Sequence, residues 1–248
     1  MKDILLDVVK HINNIGGFEH ARITGTSEST ELEALDVDKS CILKGTFNEV
    51  VPEFEGTIGL GNIGFLHSIL NLHDYQEEAK ISVMTSERNG ETTPSGLTFE
   101  NNSGSVDRYR FMSKEILDQT MKKVDFKGAK WNVTIEPTKI GVGQFASFAS
   151  AYSSTKQEIF TIITENNNLV FQLGSFDGNN NGGKRIFARN VDGELTQNWS
   201  WKITPVLEAL KLGMSGTCVM KVSDQGVLQI TVDSGIGTYN YLFPASSV

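Results

Sequence analysis

Residues 203–243 read ITPVLEALKLGMSGTCVMKVSDQGVLQITVDSGIGTYNYLF. Val206, Leu207, Ala209, Leu210 and Leu212 fall on one face of a helix at a 3.6-residue period. Three runs rich in β-formers follow, at 218–222, 227–232 and 239–243, separated by segments with glycine and aspartate as tight antiparallel connections require. The same order occurs in 61–112. There Phe65, Leu66, Ile69, Leu70 and Leu72 mark the helix, and 81–84, 97–99 and 109–112 mark the strands. A unit of this size that appears twice predicts two similar domains.

Each copy has a matching first half. Ile4, Leu5, Val8, Val9 and Ile12 form the apolar face of a helix over 3–15, and strands start at Phe18. Phe145, Phe148, Ala149 and Tyr152 do the same over 140–153, and strands start at Glu158. The expected fold class is therefore α+β: two similar domains, each with two helices packed on antiparallel sheet. The boundaries are an N-terminal domain 1–112, a connector 113–130 and a C-terminal domain 131–248. In the connector, SKEILDQTMKKVDFKGAK interrupts the strand pattern and reverses the local charge.

A chain of 248 residues suits two domains of ordinary size, and 39% hydrophobic residues suffice for two modest cores. No apolar run approaches the roughly 20 residues of a membrane-spanning helix. The opening MKDILLDVVKH is broken by Asp7 and does not read as a signal peptide, so the expected location is cytoplasmic, with no membrane partner. Cys41 and Cys218 lie inside strand patterns, as buried thiols do, and the sequons at Asn101, Asn132 and Asn198 carry little meaning in that compartment.

The net charge of −8 argues against a uniformly basic nucleic-acid surface, but its distribution is uneven. Residues 1–112 hold 9 basic and 18 acidic side chains, 113–130 hold 5 and 3, and 131–248 hold 8 and 9. Much of the acid lies in strands and loops. On or beside the helices stand Lys2, Lys10, His11, His67, Lys139, Lys156, Lys202 and Lys211, with Asp3, Asp7 and Glu208 as acidic exceptions. On composition alone these are either the solvated faces of four helices or a phosphate-facing surface.

Apparent chemical motifs do not hold together. GNNNGGK at 178–184 has the glycine and lysine spacing of a phosphate loop, but Arg185 replaces the Ser or Thr that binds magnesium, and no helix follows. A hairpin loop explains it. Asp36, Asp38 and Ser40 open like a calcium loop, yet Cys41 takes the glycine position and Phe47 the glutamate position. His11, His20, His67 and His73 have no metal-ligand spacing, and no nucleophile elbow or paired His and Cys motif occurs. No catalytic residue, metal or cofactor is expected.

Three stretches carry a resemblance. TELEALDVDKSCILKGTF at 30–47 looks like the strand pair of a DNA sliding clamp; GLGNIGFLHSILNL at 59–72 is similar to the following helix in clamps of T-even-like bacteriophages; TYNYLFPA at 238–245 resembles the C-terminal strand of proliferating cell nuclear antigen. The resemblance implies a homotrimer whose six domains form a ring around duplex DNA, held without sequence preference. The helix cations named above would line the hole. Head-to-tail pairing of edge strands would close the ring, near 105–112 on one side and 168–175 or 184–190 on the other. The partners it implies are double-stranded DNA, DNA polymerase, a clamp loader, late-transcription factors as in T-even-like phages, and further copies of the chain.

It also implies a pocket for client peptides near Leu35, Cys41, Ile116, Leu117, Met121, Val227, Tyr241 and Pro244. Read without the resemblance, Ile116, Leu117 and Met121 make a short helix packed on the nearest core, and the others are simple core; both readings stay open. Likewise Ser147, Ser150 and Ser154, opposite Phe145 and Phe148, either admit a close approach or form a solvated face. Competing functions are a monomeric factor that holds DNA by charge, a structural virion or carbohydrate-binding protein, and an α+β hydrolase. The last has no supporting constellation.

Overall fold

The computed structural model describes residues 1–75, 79–88, 90–121, 126–176 and 181–246. The chain divides into two compact units, one made of Met1–Lys39, Leu43–Val124 and Gly235–Tyr239, the other of Ser40–Ile42, Asp125–Ser234 and Asn240–Val248.

In the first unit α1 (Lys2–Asn13) buries Leu5, Val8, Val9 and Ile12, the stripe that its period predicts. Gly16 and Gly17, both at positive φ, turn the chain out of the helix. Strands β1 (His20–Gly25), β2 (Thr30–Leu35), β3 (Ile42–Phe47) and β4 (Gly56–Gly61) follow, in the spatial order β4-β1-β2-β3. Ala21 and Ile23 of β1, and Leu32 and Ala34 of β2, alternate inward as a half-buried sheet demands. After α2 (Ile63–Leu70) come β5 (Lys80–Arg88), β6 (Glu91–Glu100) and β7 (Val106–Arg110), an antiparallel meander in sequence order. The unit ends in a short helix, α3 (Lys114–Thr120).

After β8 (Val133–Ile135) the second unit repeats the plan with α4 (Lys139–Tyr152), then β9 (Ile159–Glu165), β10 (Asn168–Gly174), β11 (Gly182–Ala188) and β12 (Trp199–Lys202). Then come α5 (Ile203–Gly213), β13 (Thr217–Ser223), β14 (Val227–Asp233) and β15 (Gly237–Pro244). The two sheets of this unit run β11-β10-β9-β12 and β15-β14-β13-β8. Helix, four strands, helix, three strands is thus realised twice, an α+β plan of two similar halves with helices on antiparallel sheet, as the sequence leads one to expect.

Local chemistry sets the helix ends. Thr138 caps α4 by accepting the Gly141 N–H at 3.1 Å, and Pro205 sits in the first turn of α5, where a missing N–H costs nothing. The second core is aromatic: Phe145 packs at 4.8 Å from Phe160 and 4.9 Å from Phe171, and Phe171 stacks on Phe187 at 4.1 Å. Burial pushes the Cys218 thiol up to about 12, as an inert core residue. Residues 178–180 of the phosphate-loop look-alike lie outside the described residues; the strands on either side, β10 and β11, pair antiparallel as a hairpin.

Candidate nucleic-acid and peptide interfaces

Two helix pairs carry the expected cations. In the first unit α1 packs against α2, and in the second α4 packs against α5. Lys10, Lys139, Lys156 and Lys211 are exposed, while Lys2, His67 and Lys202 are half-buried. Lys2 donates its ammonium to the Tyr75 carbonyl, and Lys211 is paired with Glu208 at 2.7 Å. Lys139 stands at the first turn of α4, and Lys156 follows that helix at a left-handed position, φ 57°. Six lysines against Asp3, Asp7 and Glu208 leave these helices mildly positive within an acidic chain.

His11 does not belong to that surface. It is only 1% exposed, stacked on Tyr239 with ring centroids 3.7 Å apart. The Tyr239 hydroxyl donates to Asp7 at 2.6 Å, and the same carboxylate lies 3.7 Å from His11 Nε2. Burial holds the imidazole down to about 4; Asp7 opposes that shift and Lys10 adds to it. A neutral ring in the core cannot attract phosphate, so the expectation that His11 faces DNA is corrected.

Beyond Lys139 in its first turn, the outer face of α4 is free of charge. Gly143, Gln144, Ser147 and Ser150 are exposed along it, and the Ser147 hydroxyl donates back to the Gly143 carbonyl at 3.0 Å. Ser68 of α2 does the same to Gly64 at 2.9 Å. In α2 the apolar assignment needs adjustment: Leu66, Ile69 and Leu70 are buried, but Phe65 is 47% and Leu72 43% exposed. The helix is only two turns long, and five apolar residues at 65, 66, 69, 70 and 72 span more than the arc one sheet can cover.

Sheet edges lie where head-to-tail pairing would use them. Among the described residues β7 bonds only to β6, and β11 only to β10. Strand β10 has partners on both sides, so 168–175 is not an edge and the alternative at 184–190 overlaps the strand that is. Val106, Arg108 and Arg110 point outward from β7, while Tyr109 turns inward and donates its hydroxyl to the Gly61 carbonyl. Asp107 accepts from Tyr75 at 2.8 Å; burial, then that carboxylate, push the Tyr75 phenol up to about 12.

The expected pocket residues divide between the units and differ in access. In the first unit Leu117 is fully buried and Met121 nearly so, Leu35 is half-buried and Ile116 is 51% exposed. In the second, Cys41 and Tyr241 are fully buried, Val227 is half-buried and Pro244 exposed. Leu117, Met121, Cys41 and Tyr241 are therefore core residues with no surface for an incoming chain, because their side chains fill the packing beneath the strands and α3. Ile116, Leu35, Val227 and Pro244 remain as contact candidates. Sequence reasoning missed Arg22, whose Nη2 reaches Asp118 Oδ1 at 2.8 Å and the Met121 carbonyl at 3.3 Å. The signal present was an arginine among few cations, with Lys39 and Lys44, in a strongly acidic strand region. Among the described residues no three His, Cys, Asp or Glu side chains gather as a metal site, and no helix is long and apolar enough to cross a membrane.

No protein-family model and no curated protein matches the chain in sequence. Solved structures match in fold over nearly its full length. A. fulgidus PCNA bound to the C-terminal region of FEN-1 superposes with a TM-score of 0.69 at 12% identity, covering 100% of this chain and 96% of that one. PCNA from Thermococcus kodakaraensis gives 0.71 at 9% identity, covering 99% and 97%. The PCNA2–PCNA3 complex from Sulfolobus tokodaii gives 0.67 at 10%, covering 97% and 96%. At these identities the likeness establishes the fold alone, the two-domain fold of the PCNA chains.

Proposed function

We propose that the chain is a sliding clamp without catalytic activity, which closes as a homotrimeric ring around duplex DNA and tethers DNA polymerase and other clients to it. The reading rests on one observation, the end-to-end likeness to PCNA chains across both repeats. It takes 1–112 and 131–248 as the two clamp domains and 113–130 as the connector. A clamp loader would place the ring on DNA in the cytoplasm, the host's if the chain is phage-encoded. In a T-even-like phage setting it would also serve late-transcription factors.

Enclosure relaxes the demands on the DNA-facing surface. A topologically linked ring needs little affinity, so a few lysines acting on phosphates suffice, while an acidic exterior repels DNA from elsewhere on the chain. The sparse charge on the helices fits this better than a monomer that grips DNA by charge alone. Ring closure would pair β7 of one copy with β11 of the next, which removes both open edges. Client tails would dock beside the connector, as the FEN-1 C-terminal region bound to A. fulgidus PCNA invites by analogy.

Sedimentation equilibrium tests the ring: the expected mass is three times 27.3 kDa, and a strict monomer at micromolar concentration would overturn the reading. After loading, retention should be far longer on circular than on linear duplex. Reversing Lys10, Lys139, Lys156 and Lys211 to glutamate should weaken loading and its salt dependence while leaving the trimer intact.

A further inference from the structure

Arg22 sits at mid-strand in β1, opposite Gly59 of β4 on one side and Glu33 of β2 on the other. Its neighbours Ala21 and Ile23 are buried, so its side chain lies on the opposite sheet face. On that face Gly59 and Gly61 leave a trough. A Cβ on Gly59 would come within 2.9 Å of Met112 Cβ and 3.3 Å of both Leu117 methyls, and one on Gly61 within 2.8 Å of Met112 Sδ. Met112 anchors the near end by donating its N–H to the Gly59 carbonyl at 2.8 Å.

The helix that lies over this trough presents most of its side chains to solvent. Lys114, Glu115, Ile116, Asp118, Gln119 and Thr120 of α3 are all exposed, and Leu117 is the single buried residue of the helix, followed by Met121 just beyond it. Ser113 caps the first turn, accepting weakly from Ile116 N–H at 3.4 Å. Arg22 reaches across to it from β1. It meets a side chain of α3 and a carbonyl at its C-terminal end with one nitrogen, while Glu33 stands 4.0 Å behind and the Arg22 Nε is buried without a hydrogen-bond partner among the described residues. A cation at a helix C-terminus is favourably placed, and a guanidinium can serve carboxylate and carbonyl together where an ammonium serves one.

We propose that Arg22 is a positioning residue for client binding: by closing on Asp118 and the Met121 carbonyl it keeps α3 docked with Leu117 in the glycine trough, and so fixes where Ile116 is presented to a partner. The last step rests on the client-tail reading above. The docking step does not, and the two are tested separately.

Amide hydrogen exchange on the full chain, with no peptide present, reads docking at the N–H groups of Leu117 and Met121. Arg22→Met keeps the apolar stem and should speed exchange there about tenfold, with Arg22→Lys recovering part of the protection and the amides of Ile23 and Leu60 unmoved. Asp118→Asn, which leaves the carbonyl contact, should have a smaller effect of about threefold. Unchanged exchange at Leu117 and Met121 in Arg22→Met overturns the proposal. For presentation, the probe is the FEN-1 C-terminal peptide of A. fulgidus. Affinity should fall in the order Arg22, Arg22→Lys, Arg22→Met, in step with exchange; equal affinity in all three overturns the positioning role. Failure of the unaltered chain to bind that peptide counts against the client reading, while the exchange arm still decides docking.

Discussion

Helices α1 and α4 occupy the same place in the two repeats and are built from different chemistry. The first is a charged helix with buried polar groups beneath it: Asp3 and Lys10 are exposed on its outer side, while Asp7 is largely covered beside His11, which is stacked on Tyr239 in the core. The second carries no charge beyond Lys139 and rests on stacked and edge-on phenylalanines. Fold equivalence therefore requires only an apolar stripe of the right period. What fills the space under the stripe, and what faces outward, is set independently in each copy. The difference predicts that the two units respond to different stresses.

The largest effect is expected in the second unit. Phe145→Ala removes the ring shared by Phe160, Phe171 and Phe187, and should cost about 4 kcal/mol, read as a lower urea midpoint for that unit. A loss under about 1 kcal/mol would mean that the aromatic cluster is not its keystone.

Acid should act on the first unit instead. His11 titrates near 6.5 when unfolded and at about 4 when folded, so between those values the unfolded chain binds a proton that the folded chain refuses. Stability is thus fully present above about pH 6.5 and declines as pH falls toward 4, by roughly 3 kcal/mol for this group. Replacing His11 with Phe, which can keep the stack on Tyr239, should flatten that slope. Thermal melts of the two proteins at several pH values check it, and equal slopes would remove His11 as the cause.

The smallest effect concerns the helix starts. Thr138→Ala deletes the cap of α4 and should cost about 1 kcal/mol, whereas α1, whose N-terminal residue Met1 makes no side-chain cap, has no equivalent bond to lose. Denaturant titration of the single variant decides it.

These contrasts also mark what could be read from the sequence. The stripes of Leu5, Val8, Val9 and Ile12 and of Val206, Leu207, Ala209 and Leu210 announced their helices, because a sheet below a helix imposes a period that local sequence must obey. The succession of helix and strands was legible because it occurs twice. His11 was misassigned because its partner lies 228 positions away, and no local pattern distinguishes a stacked core histidine from a cation on a solvated face. Phe65 was misplaced because a two-turn helix offers too few repeats to define an inward arc. Leu117 was visible as an apolar residue in a polar connector, but the trough that receives it is made by glycines on a strand distant in sequence, and an absent side chain leaves no mark on the residue it accommodates. Arg22 was hidden for the same reason: its role comes from what stands across from it.

The serines of α2 and α4 have one more consequence. Ser68 and Ser147 each spend their proton on a carbonyl four residues back, so these hydroxyls are already satisfied by the helix that bears them. A surface of this kind can be wetted and can lie close to another molecule, but it offers few directional anchor points at fixed spacing. Whatever moves past it encounters a shallow energy landscape with little corrugation.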